Sequence, residues 1–257
     1  MGIFARGIFF RMNVLPMKWF ITGGSAGIGL ALANAVIARG HEAIICGRDQ
    51  DRLSHAAAAL PGIHTRRCDL TDAAERERLV QWLFEEHADL DVLVNNAGQQ
   101  MQHDLLLAPA ARTIAAIESE IVTNLVVPAT LSAALVPLLV KRDKAMIVNV
   151  TSGLAYAPSP RLPFYCATKA AMHSLSVSMR YQLGKTCIDV IELAPPMVAT
   201  ALGHSSVDER AASGAMSAEA FIEAALPRIL MGEPEILIGQ AAMLRAKGEN
   251  FFIGGIG

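Results

Sequence analysis

Tyr165 and Lys169 stand four positions apart in the run Tyr165-Cys166-Ala167-Thr168-Lys169. At that spacing two side chains share one face of a helix. A nearby ammonium favours phenolate over phenol, which draws Tyr165 down from its usual pKa of about 10 and fits it for general acid–base work. Spacing alone does not single the pair out, because Tyr181 and Lys185 repeat it. What separates them is Ser152, a hydroxyl 13 residues before Tyr165 at the end of the apolar run Ile147–Val150. The residue 13 before Tyr181 is Thr168, inside the helical pattern itself. Tyr181 is therefore expected as a half-buried helix residue and Lys185 as a solvated charge.

A second constellation lies near the start. The run Trp19–Thr22 leads into Gly23-Gly24-Ser25-Ala26-Gly27-Ile28-Gly29 and then a helical pattern. Glycines there permit a tight turn and close backbone approach, and the helix start offers free N–H groups to a phosphate. The spacing is GxxxGxG, so it is the strand–turn–helix context that points to a dinucleotide. In Ile45-Cys46-Gly47-Arg48, Gly47 leaves empty the place of an acid that would bond a ribose 2′-hydroxyl. Arg48 can clamp a 2′-phosphate instead, which favours NADP over NAD.

These groups need a scaffold that brings strand ends to one edge. Candidate strands are Trp19–Thr22, Ala43–Cys46, His64–Cys68, Val92–Asn95, Ala145–Val150, Ile188–Leu193 and Glu235–Ile238. Helical patterns fall near Gly27–Arg39, Asp49–Leu60, Asp72–His87 (with Asp72 as N-cap), Ala110–Val140 and Phe164–Leu183. The alternation implies α/β architecture: one Rossmann-type, doubly wound parallel sheet of about seven strands, with helices on both faces. No repeat or linker divides it, so residues 18–257 read as one domain and residues 1–17 as an N-terminal extension. Arg6 and Arg11 interrupt that extension, no cleavage site follows, and Met12 or Met17 could be the start. The Ser/Ala/Gly-rich stretch Ala199–Ala218 reads as a long binding loop or lid.

Composition narrows the classes. Apolar residues make 53% and charged ones 18%, with a net charge of −2, which supports a large core and argues against a nucleic-acid partner. No apolar run reaches the roughly 18 residues of a membrane span. Cys46, Cys68, Cys166 and Cys187 have no ligand spacing, so no metal site or disulfide framework is expected and a reducing, cytoplasmic compartment fits. His103 and His173 read as satisfied structural histidines, and Trp82 and Phe84 as core.

On these residues the chain resembles the short-chain dehydrogenase/reductase family of about 250 residues, and within it the DltE-like subgroup. The subgroup likeness rests on Ser152–Ala155, Tyr165–Ala171 and Glu192-Leu193-Ala194-Pro195-Pro196-Met197-Val198. The resemblance implies four catalytic residues, Asn124, Ser152, Tyr165 and Lys169, with Asn124 holding a water that links Lys169 to solvent. It implies cofactor contacts from Gly23, Ser25, Gly27, Ile28, Gly29 and Arg48, then from Asp69 and Leu70 at the adenine. Asn95, Ala97 and Gly98 of the Asn-Asn-Ala-Gly run would follow, then Tyr165 and Lys169, and finally Pro195, Val198 and Thr200. Pro196 departs from the family's glycine at that place, fixing φ and removing an N–H.

The function implied is NADP-dependent hydride transfer between a small-molecule carbonyl and an alcohol. Substrate walls are expected from Gln99, Gln100, Leu154, Phe164, Met197 and the 199–218 loop, with no fixed cation. The family also implies a homodimer or homotetramer. Alternatives are a non-catalytic NADP-binding sensor or scaffold, and an epimerase or dehydratase, which length and glycine spacing disfavour.

Overall fold

The structure, a computed structural model, describes residues 16–106, 110–203 and 206–253. Most of the extension, residues 1–15, lies outside them. Met17 packs into the core, and its N–H donates to His41 Nδ1 at 3.1 Å.

Seven strands form one parallel sheet in the order β3-β2-β1-β4-β5-β6-β7. They are β1 (Lys18–Thr22), β2 (Glu42–Gly47), β3 (His64–Arg67), β4 (Val92–Asn95), β5 (Ala145–Val150), β6 (Ile188–Ala194) and β7 (Glu235–Leu237). Alternation decides which core each strand residue serves. Trp19, Ile21, Ala43, Ile45, Val92, Val94, Met146 and Val148 face one core. Phe20, Ile44, Cys46, Leu93, Ala145 and Ile147 face the other. Strands buried on both faces have no polar stripe, hence their nearly continuous apolar sequences.

Helices cover both faces. Helix α1 (Gly27–Ile37), α2 (Gln50–Ala59) and α8 (Ala218–Leu230) bury Leu32, Val36, Leu53, Phe221, Ile222 and Leu226 in the first core. Helix α3 (Ala73–Glu86) and α5 (Val127–Leu139) bury Leu79, Leu83, Leu131, Leu135 and Leu138 in the second. Asp72 does cap α3, accepting from Glu75 N at 2.9 Å. Phe84 departs from expectation: it lies on the outer face of α3, 38% exposed. Trp82 is half-buried, edge-on to His87 and under Arg66.

The single helix expected over Ala110–Val140 is three pieces. Helix α4 (Ala110–Ile121) passes through a π turn (Val122–Val126) into α5. The segment Ile114–Leu139 is long and apolar enough, by length and composition, to cross a membrane. Its Leu131, Leu135, Leu138 and Leu139 pack in the core against the sheet, while Ile114, Ile121 and Val126 are exposed. Helix α6 (Pro163–Leu183) packs on β6. Tyr181 on it is 85% exposed rather than half-buried, because its side of the helix faces away from the sheet.

The expected loop after β6 contains structure of its own. Helix α7 (Val207–Ala212) starts with a capping box of Ser206 and Glu209. Beyond β7, α9 (Gln240–Lys247) and α10 (Asn250–Ile253) occupy a tail whose sequence shows no pattern. Between β1 and β4 the winding reverses, and the crevice beyond the carboxyl ends of these strands is where such sheets receive ligands.

Candidate active site

Three elements meet at that crevice. Thr151 and Ser152 follow the end of strand β5, and a 3-10 turn (Gly153–Ala155) comes next. Ser152 Oγ caps this turn, accepting from Leu154 N at 3.1 Å, and its hydroxyl acts on the Tyr165 phenol to lower its pKa. Lys169 lies one turn along α6 from Tyr165, its Nζ 5.6 Å from the ring centroid and donating to Val150 O at 2.8 Å. Ser152, Tyr165 and Lys169 are all buried. Asn124 comes from the π turn, a feature that recurs at functional sites. Its Oδ1 accepts from Gln99 N at 2.8 Å, and its Nδ2 donates to Gln99 O at 2.9 Å and Thr168 Oγ1 at 3.1 Å. Both ends of the amide are engaged by protein, so this side chain ties Gln99 to Thr168 of α6.

The electrostatics differ from the expectation of an acidified phenol. Burial pushes Tyr165 up to about 12, opposed by the Ser152 bond. Burial pushes Lys169 down to about 8, opposed by the carboxylate of Glu120. Desolvation of the charged form is the largest cause of both shifts. The site as it stands therefore holds a protonated phenol at neutral pH.

An open cleft of about 390 Å³ runs from Arg48 to Lys169. Its walls include Gly23, Ser25, Gly27, Ile28, Arg48, Asp69, Leu70, Ala97, Gly98, Tyr165, Lys169, Pro195 and Thr200. Ser152 and Asn124 stand behind this wall, Ser152 next in sequence to lining Thr151 and Asn124 bonded to lining Gln99. Three expected contacts do not line it. Gly29 lies under the glycine loop, where a Cβ would stand 2.5 Å from Asn96 Nδ2 and 2.6 Å from Gly23 O. Asn95 turns inward, donating to Ser132 Oγ at 3.0 Å and Asn149 Oδ1 at 2.8 Å. Val198 is buried and makes a β-bridge with Met216. Asp69 both lines the cleft and closes a turn on Thr71, whose bonds hold its carboxyl below the usual range.

The cleft fits a dinucleotide. Gly23 and Gly27 have φ of 63° and 53°, and a Cβ on Gly27 would stand 3.0 Å from Thr200 Cγ2. Helix α1 has no side-chain cap, so its first N–H groups are unclaimed and open to an anion. Thr123 lines the cleft with a buried hydroxyl that has no partner among the described residues. Arg52, not singled out in the sequence, joins Arg48 at the far end, and its spacing of four from Arg48 was the available signal.

Behind the reacting end sit two buried glutamates that no motif in the sequence marks. Glu120 accepts from Met101 N at 3.1 Å and faces His103 Nε2 at 3.3 Å. Glu192 accepts from Thr151 Oγ1 and the Tyr156 hydroxyl, each at 2.8 Å, and its Oε2 lies 2.7 Å from His173 Nδ1. Both histidines are thus held in the structure by carboxylates. Polar ligand atoms of His173, Glu192 and Glu235 lie within 4.8 Å of one another, but Glu192 is already taken up by these three neighbours. An acid inside the apolar strand Val190–Leu193 was the signal for Glu192.

Arg210 of α7 stands beside the cleft, donating from Nη2 to Gln100 Oε1 at 3.1 Å and to the carbonyl of Leu202, which lines it. Its sequence neighbourhood reads as irregular loop, which hid it.

The sequence matches the family described as short chain dehydrogenase over residues 18–211. The chain belongs to the short-chain dehydrogenase family. This dehydrogenase is 45% identical over 217 residues to the uncharacterised oxidoreductase DltE of Bacillus subtilis, covering 84% of this chain and 85% of that one. Its fold matches a short-chain dehydrogenase from Sphingobium yanoikuyae in complex with NADPH, with a TM-score of 0.74 and 28% identity over 86% and 87% of the two chains. It also matches the bulky-bulky ketone specific alcohol dehydrogenase from Comamonas testosteroni, with a TM-score of 0.74 and 27% identity over 86% and 85%. The dehydrogenase is accordingly an NAD(P)-dependent oxidoreductase acting on small molecules.

Proposed function

We propose that this dehydrogenase interconverts a carbonyl and an alcohol, prefers NADP to NAD, and uses Tyr165 as its general acid–base. The observation that carries this reading is that buried Tyr165 and Lys169 stand together on the wall of the same cleft as the uncapped glycine loop. Bound NADPH would supply the hydride. Gly23, Ser25, Ile28 and the amino end of α1 would hold its pyrophosphate, and Arg48 and Arg52 its 2′-phosphate. Asp69 and Leu70 would flank the adenine, and Lys169 and Thr200 the nicotinamide end.

In reduction, Ser152 would hold the carbonyl oxygen by a hydrogen bond and Tyr165 would give that oxygen its proton. Lys169 would keep positive charge beside the phenol as it loses the proton. Asn124 would position Gln99 and α6. The remaining assignments belong to the same reading: residues 18–257 as one domain, a reducing cytoplasmic setting for the free cysteines, and a homodimer or homotetramer. Exposed Ile114, Ile121 and Val126 on the α4–α5 segment support the self-association.

The test is loss of NADPH and NADH absorbance across aldehydes, ketones and quinones. Turnover is expected to be faster with NADPH. Tyr165→Phe should lose about 10²–10⁴-fold in rate while still binding NADPH. A variant that kept most of its activity would remove Tyr165 from the chemistry. Tight NADPH binding with no turnover on any compound would favour the sensor reading.

A further inference from the structure

We propose that Arg210 anchors an anionic group of the substrate, so that the carbonyl compounds this site prefers carry a carboxylate. This rests on the carbonyl reading above and narrows it. Arg210 crosses from α7 to the cleft, where Nη2 donates to Gln100 Oε1 at 3.1 Å and to the carbonyl of Leu202, itself a cleft wall residue. Gly203 makes that approach possible: it has φ of 78°, and a Cβ there would stand 3.4 Å from Arg210 Nη2 and 3.0 Å from Gln100 O.

The guanidinium is only half-buried, yet its charge is poorly answered. Among the described residues no carboxylate pairs with it. Its neighbour Glu209 turns instead to Ser206 N, at 2.8 Å, to complete the capping box. Its Nε is out of water and has no partner among the described residues. A buried N–H without a partner costs about 1–3 kcal/mol. A cation held only by neutral acceptors is better satisfied by a carboxylate, whose charge-assisted bonds are about twice as strong. A carboxylate displacing the Gln100 amide would meet both needs.

Position selects the substrate over the cofactor as the source of that anion. Arg210 bonds Gln100, and the adjacent Gln99 is held by Asn124 against Thr168, one residue before Lys169, at the reacting end of the cleft. The phosphate-binding features, Gly23 to Ile28 and Arg48, are grouped around the glycine loop.

The test uses protein saturated with NADP⁺, so that ketones bind without being reduced. Calorimetry would compare acetoacetate with methyl acetoacetate, and 4-acetylbenzoate with its methyl ester. In at least one pair the acid should bind tenfold or more tighter than the ester. Arg210→Met should erase that preference, and Arg210→Lys should restore part of it. Esters binding as tightly as acids in both pairs would overturn the proposal. So would an Arg210→Met protein that lost NADP⁺ affinity yet kept the acid preference. Acids that bind through Arg210 but are never reduced with NADPH would leave the anchor standing and sink the carbonyl reading.

Discussion

Around the glycine loop the cleft is made of backbone: Gly23, Gly27, the bare start of α1 and the Gly47 corner, with Arg48 and Arg52 beyond it. On its reacting side it is made of buried side chains drawn from β5, α6, β6 and the π turn, tied by Glu192, Glu120 and Asn124. The first wall is local in sequence and is specified by the absence of Cβ atoms. The second is assembled over long sequence separations and is specified by which donor meets which acceptor. The two walls should therefore fail differently, the first through crowding and the second through lost partners and lost charge.

Three experiments press on that contrast. The largest effect is expected from Glu192→Ala, which strands Thr151, Tyr156 and His173 inside the protein. It should cost about 3–5 kcal/mol of stability, read as a fall in melting temperature. A melting temperature within a degree or two of the parent would show that the reacting wall does not depend on this tie.

The next effect is one of pH. Lys169, held near 8 by burial, is charged below that pH and neutral above it, while Tyr165, at about 12, stays protonated across the range. Reductive kcat/KM should fall about tenfold per unit above pH 8. A flat profile from pH 7 to about 10 would show that the ammonium does not assist proton donation.

The smallest is Gly29→Ala. Its methyl would press on Asn96 and the Gly23 carbonyl, at a cost of about 1–3 kcal/mol. The loss should appear chiefly as weaker NADPH binding, with kcat at saturating cofactor largely kept. A fall in kcat at unchanged NADPH affinity would break the division between the walls.

Much of the fold was legible because the buried strands are short apolar runs separated by helical patterns, and observed and expected strands agree to within a residue or so at each end. Tyr165, Ser152 and Lys169 were legible because two of them share one helix face and the third closes a strand. What escaped were partners. His103 and His173 were visible, but Glu120 and Glu192 emerge only when α4 and β6 are folded against them. Asn95 and Asn96 look alike in sequence. Only the sheet decides that Asn95 turns to Ser132 and Asn149 while Asn96 holds Thr22 and lines the cleft. Arg210 lay in a stretch whose composition reads as loop, and α9 and α10 are too short to show a stripe. Phe84 and Tyr181 were misplaced because a helical pattern does not by itself say which of its aromatic residues face the sheet.

The π turn at Val122–Val126 gives the helical segment one residue more than unbroken α geometry would use. In an α-helix a residue advances the direction of its side chain by about 100°. The extra residue therefore re-phases the rod midway. Glu120 and Asn124 can look toward the crevice while Leu131, Leu135 and Leu138 look toward the sheet, though one continuous helix would set these demands against each other. The surplus residue frees the chemistry upstream to change its heading without repacking the core downstream.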